Sequence, residues 1–214
     1  MSDAGTARLF IALELPERVR EALAGWAHRA ARSEGLLRSD AGRAPTGRRS
    51  GQARGALRLA DPETMHITLA FLGQQPLELL GALAALIEDS GAAGLKALAL
   101  GAPLWLPVRR PRALAVEVRE QGESLRSLRR LVLRGLEELS IAPAQPRGSG
   151  ALRAFHPHIT VARLRSGTRV PERMLPPTPS LSFLPDRLVL YRSYLSAQGA
   201  RHVPLAAGAT HALS

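Results

Sequence analysis

The tripeptide His66-Ile67-Thr68 returns as His158-Ile159-Thr160, so two of the six histidines open the same unit. The flanks agree as well. M-H-I-T-L-A-F-L from Met65 and P-H-I-T-V-A-R-L from Pro157 share His, Ile, Thr, Ala and the final Leu. Their β-branched and aromatic content predicts a strand in each case. Side chains alternate along a strand, so each histidine shares a face with its threonine. Imidazole gives or takes a proton near neutrality because its unperturbed pKa is about 6.5. The hydroxyl can donate to a non-bridging phosphate oxygen or orient the ring. Two such strands around a cleft would supply a base, an acid and two phosphate-binding hydroxyls. Those are the parts needed to cleave a phosphoester by acid–base chemistry without a metal.

Other readings of the same residues stand beside this one. A histidine on a strand is commonly a structural residue with satisfied hydrogen bonds. His156-Pro157-His158 is an H-x-H pair and so a rival metal site, but a catalytic zinc takes three protein ligands and no H-E-x-x-H accompanies it. No G-x-S-x-G elbow supports a serine nucleophile. The echo at His66 favours His158 over His156, and one copy in each half of the chain reads as an internal duplication into two similar lobes.

The elements that would position these strands follow from periodicity. Ala7–Leu13 has the length of a buried strand, and Pro16 then opens a helix. Val19, Leu23, Trp26, Ala27 and Ala30 continue that helix to about Ala31. Residues 33–56 break every period and carry Arg38, Arg43, Arg48, Arg49 and Arg54, which predicts a flexible basic insertion. Leu57–Ala60 reads as a short strand, D-P-E-T at 61–64 as a turn, and Met65–Leu72 as a strand. A second helix opens at Pro76 with Leu80, Leu83 and Ile87 on one side. Strands are expected at Leu95–Leu100, Leu104–Leu106 and Ala113–Val118. A third helix lies between Gly122 and Ile141, with Leu125, Leu128, Val132, Leu136 and Leu139 inward. After a Pro/Gly loop at 142–153 come strands Ile159–Leu164, Arg187–Tyr194 and Arg201–Leu205. Strands and helices mix without regular alternation, so the class expected is α+β. The chain is expected to form one bilobal domain over 1–205, with a tail at 206–214.

Composition narrows the function classes. Cysteine is absent, which removes disulfides, thiolate metal sites and cysteine nucleophiles. The longest apolar run, at 95–106, is broken by Lys96, Gly101 and Pro103 and is too short to span a bilayer. The N-terminal residues show no basic segment followed by a long apolar one, so a cytoplasmic protein without a membrane partner is expected. The net charge of +11 points to an anionic partner, with nucleic acid first. All but one of the 29 basic residues are arginine, which coding bias could also produce.

With both units in place, the chain resembles the two-histidine (2H) phosphoesterases, and among them the RNA 2′,3′-cyclic phosphodiesterases, also called 2′-5′ RNA ligases. R-L-F-I-A-L-E-L-P at 8–16 is similar to the family's opening strand, and L-V-L-Y-R-S-Y-L-S-A-Q-G-A at 188–200 to its closing one. H-I-T-L-A-F-L-G at 66–73 and F-H-P-H-I-T-V-A-R at 155–163 match its two signatures. The resemblance implies a bilobal α+β fold with pseudo-symmetric lobes, two antiparallel sheets facing a central cleft and helices outside. It implies His66 and His158 as the catalytic pair, Thr68 and Thr160 as phosphate ligands, no cofactor and no metal. It further implies RNA ends or cyclic nucleotides as partners of a monomer, with His66 as acid and His158 as base. Such enzymes open a 2′,3′-cyclic phosphate to a 2′-phosphate and by reversal form a 2′-5′ bond without ATP.

Arg163 and Phe155 are candidate substrate contacts, although alternation sets Arg163 opposite His158 unless a bulge intervenes. The chain departs from the family in carrying Leu57-Arg58-Leu59 where an aromatic is common, His202 where tyrosine is common, and a longer loop at 33–56. These departures bear on substrate preference. A non-catalytic RNA-binding protein, or an enzyme for a small cyclic nucleotide metabolite, remains an alternative on the same fold.

Overall fold

The computed structural model describes residues 5–33, 56–91, 93–144, 155–165, 175–196 and 199–210. The body of the basic insertion expected at 33–56, most of the 142–153 loop and the last four residues lie outside them. Strand β1 (Thr6–Glu14) is covered on both sides. Leu9, Ile11 and Leu13 enter the main core, while Phe10 and Ala12 join Val189 and Tyr191 in a second small cluster on the opposite face. Helix α1 (Glu17–Ser33) buries Val19, Leu23, Trp26, Ala27 and Ala30, the stripe expected from their spacing. Then come β2 (Leu57–Leu59), a 3-10 turn capped by the Asp61 carboxylate, and β3 (His66–Pro76). Helix α2 (Leu80–Gly91) is next, with β4 (Leu98–Leu106) and β5 (Ala113–Glu120) after it. Helix α3 (Ser124–Glu138) leads to β6 (His158–Leu164). The last strands are β7 (Ser182–Phe183), β8 (Arg187–Ser196) and β9 (Gly199–Ala209).

The class is α+β, and every strand pair is antiparallel. The two sheets expected across a cleft are halves of one curled sheet, ordered β7-β4-β5-β6-β3-β1-β8-β9, with β2 also on β6. The halves join through a single residue pair, Ile67 with Ile159, between the two strands that carry the motifs. The helices cross over. Helix α1 leaves β1 of the first half and packs on β2 and β6 of the second. Helix α3 leaves β5 of the second half and packs on β3 and α2 of the first. Gly135 permits that last approach, because a Cβ there would collide with Leu86.

Three sequence expectations change. Leu95–Leu100 and Leu104–Leu106 contribute to one strand, β4. Pro76 ends β3 instead of opening α2, which begins at Leu80 after a 3-10 turn. The closing strand runs to Ala209, so residues 206–209 are strand and not tail. Helix α2 packs on β9 there, and Gly208 passes beneath the Ile87 backbone where no Cβ would fit. No helix of the described residues is long and apolar enough to cross a membrane.

Candidate active site

The duplication seen in the sequence is a duplication of strand register. In the first half, β1 pairs with β3 so that Glu14 faces His66, Ala12 faces Thr68 and Ile11 faces Ala70. In the second, β5 pairs with β6 so that Glu117 faces His158, Ala115 faces Thr160 and Leu114 faces Ala162. The two lists correspond residue for residue. Each also skips one residue after its threonine, Leu69 in β3 and Val161 in β6, where a bulge breaks the alternation. A bulge frees a backbone carbonyl that must find a donor. Arg129 Nε donates to the Leu69 carbonyl at 3.0 Å, and the Ala60 N–H donates to that of Val161 at 2.9 Å.

The bulges set the facing of the residues after each motif. Leu69 and Ala70 are both buried, as are Val161 and Ala162. Alternation then resumes one step out of phase and returns Phe71 and Arg163 to the face of the histidines, where both line the cleft. The condition under which Arg163 could reach the site is therefore met. An alanine opposite each threonine leaves open the space above the hydroxyl.

Both imidazoles are held in the same way. His66 Nδ1 lies 2.7 Å from the Thr64 carbonyl, and His158 Nδ1 lies 2.8 Å from the His156 carbonyl. A carbonyl only accepts, so Nδ1 carries the hydrogen in each ring and Nε2 is left to the cleft. His156 thus serves through its backbone, while its own side chain is exposed. It is not the equal of His158 that the H-P-H sequence suggested.

Their surroundings differ. Phe10 lies 5.0 Å from the His66 ring, centroid to centroid, and stacks on Tyr191 at 5.1 Å. His202 meets Phe10 edge-on at 4.8 Å and His66 edge-on at 5.5 Å. Tyr191 donates to the Glu14 carboxylate, which pairs with Arg187 at 2.6 Å. This packing lowers the His66 pKa to about 4. Burial is the main cause, opposed by the Thr64 hydrogen bond and assisted by the charges of His202, His158 and Arg163. Burial also lowers His202, with Arg163 adding to the effect.

The cleft has a volume of about 530 Å³. His66, Thr68, His158 and Thr160 line it together, as the sequence implied, with Arg163 at its side. Phe155 does not line it. The ring packs against the core, with the Arg129 guanidinium 4.6 Å above it. Its place is beneath the arginine that holds the first motif's bulge. Sequence reasoning missed Phe71, Phe10, Arg8 and Arg201, all cleft residues. Only Phe71 left a signal, since it stands five residues after His66 as Arg163 stands after His158.

The model of the 2′-5′ RNA ligase superfamily matches residues 43–196. Among solved structures, TT0787 of Thermus thermophilus superposes with a TM-score of 0.68 at 25% identity, covering 97% of this chain and 100% of that one. E. coli LigT complexed with 3′-AMP gives 0.67 at 25% identity over 96% and 99%. The same protein complexed with NADP+ gives 0.67 at 23% identity, again over 96% and 99%. No curated protein matches. A family match over more than half the chain, together with two His-x-Thr strands in register around one cleft, places the chain in the 2′-5′ RNA ligase superfamily.

Proposed function

We propose that this chain opens 2′,3′-cyclic phosphate ends of RNA. A water oxygen adds to phosphorus, the P–O3′ bond breaks, and a 2′-phosphate and a 3′-hydroxyl remain. The observation that carries this reading is the paired geometry. Two imidazoles have Nδ1 tied to a carbonyl and Nε2 without a partner among the described residues, and each shares its strand face with a threonine. In this reading His158 takes the proton from water and His66 delivers one to the leaving ribose oxygen. Thr68 and Thr160 donate to the non-bridging oxygens. His66 is neutral in the free protein, so it acquires its proton as the anionic substrate arrives and opposes the cost of burial. Run in reverse, the same pair joins a cyclic end to a 5′-hydroxyl, giving a 2′-5′ linkage.

The charges of the cleft favour such a ligand. Arg58 and Arg163 stand directly opposite each other across β2 and β6, and both line the cleft. Like charges so placed cost stability until an anion lies between them. Phe71 is 49% exposed and offers a face on which a base can stack. The volume suits a nucleotide, and the complex of E. coli LigT with 3′-AMP shows that relative holding one. Incubation with a 2′,3′-cyclic mononucleotide in EDTA should yield the 2′-phosphate. A 3′-phosphate product, or turnover abolished by EDTA, would sink the reading.

A further inference from the structure

A further imidazole lines the cleft, outside both motifs. His202 stands on β9 opposite Ser193 of β8, and register partners share a face, so both line the cleft. Its ring meets Phe10 edge-on at 4.8 Å and His66 edge-on at 5.5 Å. The motif rings have Nδ1 anchored on a carbonyl. In His202 that nitrogen is buried and without a partner among the described residues, which leaves Nε2 as the accessible one.

Packing alone does not account for an imidazole here. A phenylalanine would offer the same edge-on contacts with no nitrogen left buried and unpaired, and such an atom costs stability. The tautomer follows from the same fact. A hydrogen on Nδ1 would be a buried donor with nothing to accept it, and orphaned donors are rare. A hydrogen on Nε2 can meet water or a ligand oxygen. His66 and His158 carry theirs on Nδ1 and present bare Nε2 acceptors, so His202 is the one of these rings that presents a donor. Burial and the Arg163 charge lower its pKa, which keeps it neutral near pH 7. The same charge bears on His66, so an anion drawn to Arg163 arrives beside both rings.

On the cyclic phosphodiesterase reading of the cleft, we infer that His202 is a further hydrogen-bond donor to the substrate phosphate, alongside Thr68 and Thr160. Its Nε2–H meets a non-bridging oxygen on the side of His66. Charge on that oxygen grows as water adds to phosphorus, so the bond strengthens toward the transition state. His202 itself neither gives nor takes a proton.

Two variants separate the donor from the ring. His202→Phe keeps the packing against Phe10 and His66 and removes both nitrogens. His202→Gln gives up the ring and keeps an N–H near the place of Nε2. His202→Phe should lower kcat/KM for a 2′,3′-cyclic mononucleotide roughly tenfold to a hundredfold, the worth of one hydrogen bond to a charged acceptor. Its melting temperature should be at or above that of the wild type, since no buried nitrogen is left unpaired. His202→Gln, the conservative variant, should recover most of the lost activity. Unchanged turnover in His202→Phe, or an equal or larger loss in His202→Gln, would make the ring a packing residue and overturn the inference. Binding of inorganic phosphate, followed by NMR titration, separates this inference from the reading beneath it. Phosphate affinity should fall roughly tenfold in His202→Phe and be largely restored in His202→Gln. If the wild-type protein leaves the cyclic mononucleotide intact, the cyclic phosphodiesterase reading fails. His202 as a phosphate donor then stands if His202→Phe shows that loss of phosphate affinity, and falls if it binds phosphate as the wild type does.

Discussion

Around His66 three rings close in, those of Phe10, Tyr191 and His202, whereas among the described residues no aromatic contact is made by its counterpart His158. The backbone does not explain this, since pairing, bulge and ring anchor are the same in both halves. One strand substitution accounts for much of it. The position equivalent to Phe10 in the other half is Ala113, so nothing large rises from β5 against the second imidazole. The duplicated unit therefore fixes where an imidazole points, and the strand beside it fixes how readily that imidazole takes a proton. Two copies of one motif can fill two roles only if their neighbours differ.

That contrast is broken most directly by removing each ring. His66→Ala and His158→Ala should each lower turnover of a cyclic phosphate by about a thousandfold or more, measured under single-turnover conditions. Stability should separate them. His158→Ala is expected to leave the melting temperature nearly unchanged. His66→Ala opens a hole beside Phe10 and should cost about 1–2 kcal/mol by denaturant titration. Near-native turnover in both variants would end the two-histidine mechanism.

Phe10→Ala tests the neighbour instead of the motif. It removes a side chain that is only 2% exposed and should cost about 3 kcal/mol of stability. It should also let water reach His66 and move its pKa up from about 4 toward the ordinary value, as read by NMR of the ring. A stable variant whose His66 titrates as before would show that Phe10 is not what desolvates the ring.

The smallest effect is in the pH dependence of folding. The folded pKa of His66 lies below its unfolded value, so the unfolded chain binds the proton first as pH falls. Stability is then complete above about pH 6.5, declines below it and levels off near pH 4, with a loss of about 2 kcal/mol by pH 5. His202 is shifted in the same direction and adds to the decline. Urea titrations at pH 7 and pH 5 measure it, and His66→Gln should shrink the difference. Kinetically, the alkaline limb of kcat should lie at higher pH than that of kcat/KM, because bound substrate returns the proton to His66. If the limbs coincide, His66 does not gain its proton with substrate.

The histidines and threonines could be read from the sequence because strand alternation is local and the unit occurs twice. The α+β class and α1 and α3 were legible for a similar reason, their apolar stripes being long and regular. Arg163 could be placed only conditionally, since a bulge is an agreement between two strands and the partner of β6 is β5, more than forty residues away in sequence. Phe10, Tyr191 and His202 were illegible as neighbours of His66. They come from β1, β8 and β9, and each looks alone like an ordinary strand residue. The packing of Phe155 under Arg129 could not be read, because an aromatic beside a signature has the same composition whatever it meets. The last turnless stretch, A-A-G-A at 206–209, lacks bulky side chains, so its strand character comes from α2 lying across it.

The crossing of α1 and α3 has a consequence for ancestry. Helices α1 and α3 each leave one half and pack against the other, while α2 stays on the β8–β9 end of the first half's sheet. A gene encoding one half alone would have left part of its sheet uncovered and its crossing helix with nothing beneath it. Two copies would have met that need by exchanging helices, and such an exchange would also have brought two His-x-Thr strands side by side. Fusing the copies into one polypeptide would then have freed each half to drift, one toward a ring packed against phenylalanine and the other toward a ring left open.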